Sequence, residues 1–122
     1  MANILIIDDS MTMRQMVNFT ISAAGHKVTE AANADEALQS AQSQRFDLVI
    51  SDVNMPGRSG IELVAELRKL PDYKFTPILL LTTESQPEMK NKGRAAGATG
   101  WIVKPFDPDA LLNVLRKVLP AN

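Results

Sequence analysis

The stretch Ile4-Leu5-Ile6-Ile7-Asp8-Asp9 places four branched apolar residues directly before two carboxylates. Such a run is too short for a helix, and its branched side chains are typical of a strand that is buried on both faces. Similar apolar runs recur at Leu48 to Ile50, Ile78 to Leu81 and Trp101 to Val103. The segment Lys27 to Ala31 is more polar and predicts an edge strand. We therefore expect five strands, four of them buried on both faces.

Between these runs the apolar residues fall at helical spacing, which predicts helices. Capping patterns agree with helix starts at Ser59 with Glu62, at Ser85 with Glu88, and at Asp107 before Pro108. The segment Pro87 to Ala98 has only a thin apolar face and is the weakest helix of the set. The alternation of strand and helix predicts an α/β fold with a parallel sheet covered on both faces.

The composition narrows the class of protein. With 122 residues and 45% hydrophobic content, the chain fits one domain spanning residues 1–122. Thirteen basic and 14 acidic residues give a net charge of -1, so the protein has no net positive charge that would attract nucleic acid or an anionic membrane. Cysteine is absent, so disulfides and thiolate metal sites are excluded. Neither a secretion signal nor an apolar run of about 18 residues is present, and we expect a soluble cytoplasmic protein without a further output domain.

Polar side chains follow four of the predicted strands, where an open parallel sheet binds its ligands. Three carboxylates brought together there would repel one another, and a hard divalent cation is the usual remedy. Mg²⁺ fits best, because it uses few protein carboxylates, keeps several waters and commonly accompanies a phosphate. The residues concerned are Asp8, Asp9, Asp52, Thr82, Thr83 and Lys104.

The same residue types suit phosphoryl transfer. The ammonium of Lys104 can bind one phosphate oxygen and a threonine hydroxyl can bind another. Since none of these six residues is a histidine, serine or cysteine, the available nucleophile among them is a carboxylate, whose product would be an acyl phosphate. Successive side chains of a strand point to opposite faces, so only one of Thr82 and Thr83 can face the phosphate, and the spacing to Lys104 selects Thr82.

Four short motifs, and the order in which they occur along the chain, resemble the receiver domain of two-component response regulators, in particular the single-domain chemotaxis regulators of the CheY type. They are Asp8-Asp9, Asp52-Val53-Asn54-Met55-Pro56-Gly57, Leu81-Thr82-Thr83-Glu84 and Lys104-Pro105-Phe106. The resemblance covers essentially the whole chain. It implies a doubly wound, flavodoxin-like fold with five helices and strand order 2-1-3-4-5, an order that periodicity alone does not supply.

Carried over residue by residue, the resemblance implies a role for each side chain. Asp52 would be the phosphorylated aspartate, Asp9 the direct metal ligand and Asp8 a carboxylate that holds the metal through water. Asn54 would contribute its backbone carbonyl to the metal. Lys104 would bind the phosphoryl group, with a cis peptide bond to Pro105.

Other positions would transmit or modulate the signal. Thr82 would be the hydroxyl switch residue, and Trp101 would stand where the chemotaxis regulators have a switch tyrosine. Asn54 and Glu84 match variable positions that affect the rate of phosphate loss. The implied partners are a CheA-like histidine kinase and an effector that binds the face of the fourth helix, fifth strand and fifth helix, with the flagellar switch as the suggested target.

Two alternatives remain open at this point. The chain could be a phosphate sink or relay without an output of its own, which uses the same chemistry. It could also be a phosphohydrolase or nucleotide-binding module on a similar sheet, although Ser10-Met11-Thr12-Met13 stands where a Gly-rich phosphate loop would be expected. His26 stands alone and is interpreted as structural. Lys90, Lys92 and Arg94 are interpreted as a solvated helix face.

Overall fold

The computed structural model describes residues 2–83, 87–104 and 107–119. Five strands alternate with five α-helices, and a short 3-10 helix at Pro71–Tyr73 precedes the fourth strand. The strands are β1 Asn3–Ile7, β2 Lys27–Ala31, β3 Leu48–Asp52, β4 Ile78–Thr82 and β5 Gly100–Val103. The helices are α1 Met11–Ala23, α2 Ala34–Ser43, α3 Gly60–Arg68, α4 Pro87–Ala96 and α5 Pro108–Val118.

The strands form a single parallel sheet in the order β2-β1-β3-β4-β5, which confirms the predicted doubly wound fold. All strands point the same way, so their carboxyl ends lie along one edge of the sheet. The order places β1 and β3 side by side in the middle, with Ile4 opposite Leu48. The residues that follow β1 and β3 are therefore neighbours, although more than 40 residues separate them in the chain.

Apolar side chains alternate between the two faces of the sheet and build one core on each. On one face, Leu5, Val49 and Leu80 pack with residues of α2 and α3. On the other, residues of β1, β3 and β4 pack with Val17 and Ile21 of α1 and with Leu111 and Leu115 of α5. Both faces of the central strands are thus buried, which explains their continuous apolar sequences.

The local signals for helix starts hold wherever the structure describes them. The Ser59 hydroxyl accepts from the Glu62 backbone N–H at 3.2 Å, and the Glu62 carboxylate accepts from the Ser59 N–H at 3.1 Å. Asp107 caps α5 through the backbone N–H of Asp109 at 3.3 Å. The predicted cap at Ser85 lies outside the described residues. These caps satisfy backbone donors that would otherwise have no partner in the first turn.

One expectation about the sheet is wrong. β2 is an edge strand as predicted, but β5 is the other edge and is not buried on both faces. Trp101 is half-buried and Val103 is 44% exposed. The apolar sequence of β5 is that of a central strand, and only the strand order shows that one side of it lacks a neighbour. Trp101 is consequently close to the molecular surface.

Within the described ranges, no helix combines the length and the apolar character needed to cross a membrane.

Candidate functional site

The predicted site residues converge at the carboxyl edge of the sheet. Asp8 follows β1, Asp52 ends β3, Thr82 ends β4 and Lys104 follows β5. Asp8, Asp52 and Thr82 are buried, at 1%, 4% and 0% exposure. Buried polar groups need partners, because an unpaired one costs about 1–3 kcal/mol. The contacts among these side chains therefore decide what the site can do.

Asp52 is fixed by its own backbone surroundings. Its Oδ1 accepts a long hydrogen bond of 3.4 Å from the backbone N–H of Asn54. The Ser51 hydroxyl donates to the Asp52 carbonyl oxygen at 2.9 Å. Gly60, the first residue of α3, lies so close that an added Cβ would collide with that carbonyl oxygen. Glycine at this position lets α3 begin directly against the end of β3.

Lys104 connects two carboxylates. Its Nζ lies 3.1 Å from Asp52 Oδ1 and 3.3 Å from Asp8 Oδ2, and its side chain is only 14% exposed. The backbone N–H of Lys104 donates to the Thr82 carbonyl oxygen at 2.8 Å, which holds the end of β5 beside β4. A single ammonium thus partly neutralises two buried acidic groups on neighbouring strands.

Asp8, Asp9 and Asp52 form a carboxylate cluster whose nearest oxygens all lie within 4.8 Å of one another. Asp9 is exposed, while Asp8 accepts from the Ser10 N–H at 2.9 Å. Arg14 of α1 donates to the Asp8 carbonyl oxygen at 2.8 Å and fixes this turn from the other side. Three clustered carboxylate oxygens are a donor set that suits a hard divalent cation. The carboxylate cluster therefore fits the predicted Mg²⁺ site.

The pKa of Asp52 is raised above its ordinary value. Burial is the main cause, the ammonium of Lys104 acts in the opposite direction, and the charge of Asp8 raises the pKa further. Ionised Asp52 is therefore poorly compensated by the protein alone. A cation or another positive group beside it would favour the carboxylate.

The two threonines at the end of β4 lie in different environments. Thr82 is fully buried and Thr83 is exposed. Along β4, Ile78 and Leu80 belong to the core on the α3 face, so alternation places Thr82 on that face as well. Trp101 packs against the same core, and it pairs in register with Leu80. The face that carries Thr82 therefore also carries the indole of Trp101.

The remaining predicted residues lie beside the carboxylate cluster, apart from it, or outside the described part of the chain. Asn54 is exposed next to Asp52, in the position expected from the motif. Glu84 and Pro105 lie outside the described residues, so the modulating role of the first and the cis bond of the second stay predictions. The Nδ1 of His26 accepts from the backbone N–H of Ala2 at 3.2 Å, in keeping with a structural role. Lys92 and Arg94 are exposed on α4.

Three residues that pack against the site or against Trp101 were not singled out from the sequence: Gly60 and Arg14 at the site, and Gly93 against the indole. Gly60 directly follows the N-cap Ser59, so from the sequence it is interpreted only as the first residue of a helix. From the sequence, Arg14 is interpreted only as a charged residue on the polar face of an amphipathic helix. Gly93 lowers the helix propensity of α4, and that weakness was the available signal, because a glycine inside a helix often has a packing reason.

Comparisons with known proteins agree with the geometry. Residues 4–116 match the family model of the response regulator receiver domain. The structure of Vibrio cholerae chemotaxis protein CheY4 is 55% identical, with a TM-score of 0.95, over 98% of this chain and 99% of that one. Chemotaxis protein CheY-3 of Vibrio cholerae is 38% identical over 94% of this chain and 89% of its own length. Protein PilH of Pseudomonas aeruginosa is 33% identical over 98% of both chains. The chain spans only about half the length of several other curated relatives that it matches.

Proposed function

The chain belongs to the response regulator receiver family, and we propose that it accepts a phosphoryl group from a histidine kinase on Asp52. Receiver domains are signalling modules that interact with kinases and downstream effectors. The observation that carries the proposal is the buried Asp52 carboxylate, held by Lys104 at 3.1 Å and flanked by Asp8 and Asp9. The two further acidic groups would hold a divalent cation, and that cation together with the ammonium of Lys104 would offset the negative charge of an incoming phosphoryl group.

Asp8, Asp9 and Asp52 would hold Mg²⁺ together with the backbone carbonyl of Asn54. The cation supplies positive charge that neutralises the carboxylates and the oxygens of an incoming phosphoryl group. The exposed Asp9 is suited to contact the cation directly. Asp8 is already engaged with Lys104 and the Ser10 N–H, which suits a ligand that acts through water.

In the transfer step, an oxygen of Asp52 attacks the phosphorus of a phosphohistidine. The new O–P bond forms an acyl phosphate while the N–P bond breaks, and the departing imidazole keeps the electron pair and takes up a proton. The ammonium of Lys104 is near enough to donate to a phosphoryl oxygen, and the Thr82 hydroxyl can donate to another. Both act by alignment and charge, which is the main catalytic contribution in phosphoryl transfer.

The output would be a change in partner binding at the face of α4, β5 and α5. Thr82 and Trp101 lie on the same face of the sheet, on adjacent strands, so a shift of the threonine toward the phosphoryl group can be transmitted to the indole. Trp101 is close to the surface on the edge strand β5. A coupling of about 1–3 kcal/mol between the two sites is enough to change partner affinity measurably.

Similarity to the chemotaxis proteins CheY4 and CheY-3 supports a chemotaxis pathway for this chain. In this proposal the donor is a CheA-like kinase in the cytoplasm. The effector is a separate protein, with the flagellar switch as the first candidate. Residues 1–122 would act as one receiver domain through contacts with these proteins.

The test combines transfer with partner capture. A radiolabelled phosphohistidine donor with Mg²⁺ should label wild type and not Asp52→Asn, whereas Asp72→Asn, which changes an exposed aspartate elsewhere, should be labelled normally. Beryllofluoride, a mimic of the acyl phosphate, should then increase binding of the effector. Label on Asp52 without any beryllofluoride-dependent complex would favour a phosphate sink. Sustained turnover of a small phosphate ester would instead indicate a hydrolase.

A further inference from the structure

Gly93 lies on the inner side of α4, directly against the indole of Trp101. A Cβ added to Gly93 would stand 3.2 Å from Trp101 Cε2 and 3.1 Å from Leu80 Cδ1, and closer still to Trp101 Cζ2. These separations are shorter than ordinary contact between carbon atoms, about 3.5–4.0 Å. Any side chain at position 93 must therefore move the indole, Leu80 or α4 itself.

The surroundings leave the indole as the natural group to move. Leu80 is fully buried in the central part of β4, where displacement disturbs a close-packed core. Trp101 is half-buried on the edge strand, with one side toward solvent. Glycine also weakens a helix compared with alanine. Helix propensity therefore does not explain why a glycine stands at position 93. The space that the indole occupies does.

We propose that Gly93 is a positioning residue for Trp101: the missing side chain provides the seat of the indole beneath α4 and couples the indole's position to that of α4. This inference rests on the proposed function, since the coupling matters when phosphorylation of Asp52 is transmitted through Thr82 and Trp101. It adds a buried residue of α4, the helix that contributes to the proposed effector-binding face, in direct contact with the indole. Movement of the indole would then displace α4, since the Gly93 backbone lies against it.

The first test uses the intrinsic fluorescence of Trp101, the only tryptophan of the chain. In Gly93→Ala the overpacked indole should move toward solvent, and acrylamide should quench it about twofold more effectively. The matched control is Lys92→Ala, which changes an exposed residue next to Gly93 on the same helix. Acrylamide should quench its fluorescence to the same extent as that of wild type. Equal quenching of Gly93→Ala and wild type would contradict the proposal.

The second test asks whether the indole determines the sign of a stability change. Glycine to alanine inside a helix ordinarily stabilises a protein. Here Gly93→Ala should lower the urea midpoint, whereas the same substitution made in Trp101→Ala should raise it. A midpoint that rises in both backgrounds would show that Gly93 does not seat the indole.

The third test separates coupling from packing. Each variant is titrated with beryllofluoride in the presence of Mg²⁺, and the rise in thermal midpoint gives the half-saturating concentration. Because coupling between sites is reciprocal, Gly93→Ala should change that concentration about threefold or more, and not in the Trp101→Ala background. An unchanged concentration would overturn the coupling. If wild type itself fails to respond, the proposed role of Asp52 fails, while the quenching and urea experiments still decide the role of Gly93.

Discussion

Replacing Lys104 by methionine removes the ammonium from the carboxylate cluster and keeps a side chain of similar length. Lys104 Nζ contacts Asp52 at 3.1 Å and Asp8 at 3.3 Å. At an effective dielectric constant of about 20, each contact amounts to about 5 kcal/mol of attraction, much of it offset by desolvation. Removing one partner of a buried ion pair costs roughly 3–5 kcal/mol. Because Lys104 retains 14% exposure, we expect a loss near the lower end, about 3 kcal/mol of unfolding free energy.

The loss should depend on pH with a definite sign. The pKa of Asp52 is already raised by burial, and Lys104 opposes that rise, so the variant should raise the pKa further. A carboxyl whose pKa is higher in the folded state stabilises the fold below its unfolded pKa and loses this contribution as pH rises through the folded pKa. Lys104→Met should therefore be closest to wild type near pH 4, at about the unfolded pKa of aspartate, and furthest from it above neutrality.

Urea denaturation at several pH values measures both effects. A matched control is Tyr73→Phe, which removes a buried hydroxyl that accepts from the Phe46 N–H and whose single proton is shared between the Ala41 and Gln44 carbonyl oxygens. It should lose about 1–3 kcal/mol, since the lost partners are neutral backbone groups, and the loss should be independent of pH between acid and neutrality. A loss below about 1 kcal/mol for Lys104→Met, or one as flat with pH as the control, would refute the buried ion-pair reasoning.

Three further predictions concern the same edge of the sheet. Asp52→Asn should raise the unfolding free energy at neutral pH, because it removes a buried carboxylate whose pKa is raised, while Lys104 keeps Asp8 as a partner; urea denaturation should show a larger gain at pH 8 than near pH 4, and an equal gain at both would contradict the reasoning. Gly60→Ala should lower stability by about 1–3 kcal/mol through collision with the Asp52 carbonyl and should slow phosphoryl uptake, and wild-type values for both would contradict the close approach. Titration with Mg²⁺ and beryllofluoride should alter Trp101 emission, and a flat response would leave Trp101 as packing alone.

Most of the fold could be predicted from the sequence because its main signals are local. The three buried strands β1, β3 and β4 and the helices differ clearly in period, and the Ser59 capping box marks α3 without reference to the rest of the chain. Strand order is a non-local property. The apolar sequence of β5 looks central, although the strand lies at an edge, since pairing on one side is invisible in its own residues.

The functional site also contains residues that could be predicted from the sequence and residues that could not. Asp8, Asp52 and Lys104 could be predicted because parallel topology brings strand ends together, whichever residues lie between them. The close contacts at Gly60 and Gly93 could not, because they depend on how far each helix approaches the sheet. A glycine in the sequence shows that a side chain is missing, but the group that fills the space becomes evident only in three dimensions.

Identification of the phosphorylated residue tests the central claim most directly. The protein is incubated with a small-molecule phosphodonor and Mg²⁺, and the intact mass and peptide masses are measured before the acyl phosphate hydrolyses. We predict a gain of one phosphoryl group on the peptide containing Asp52, absent from Asp52→Asn and strongly reduced in Lys104→Met. A modification at another residue, or equal modification of Asp52→Asn, would contradict the role assigned to Asp52.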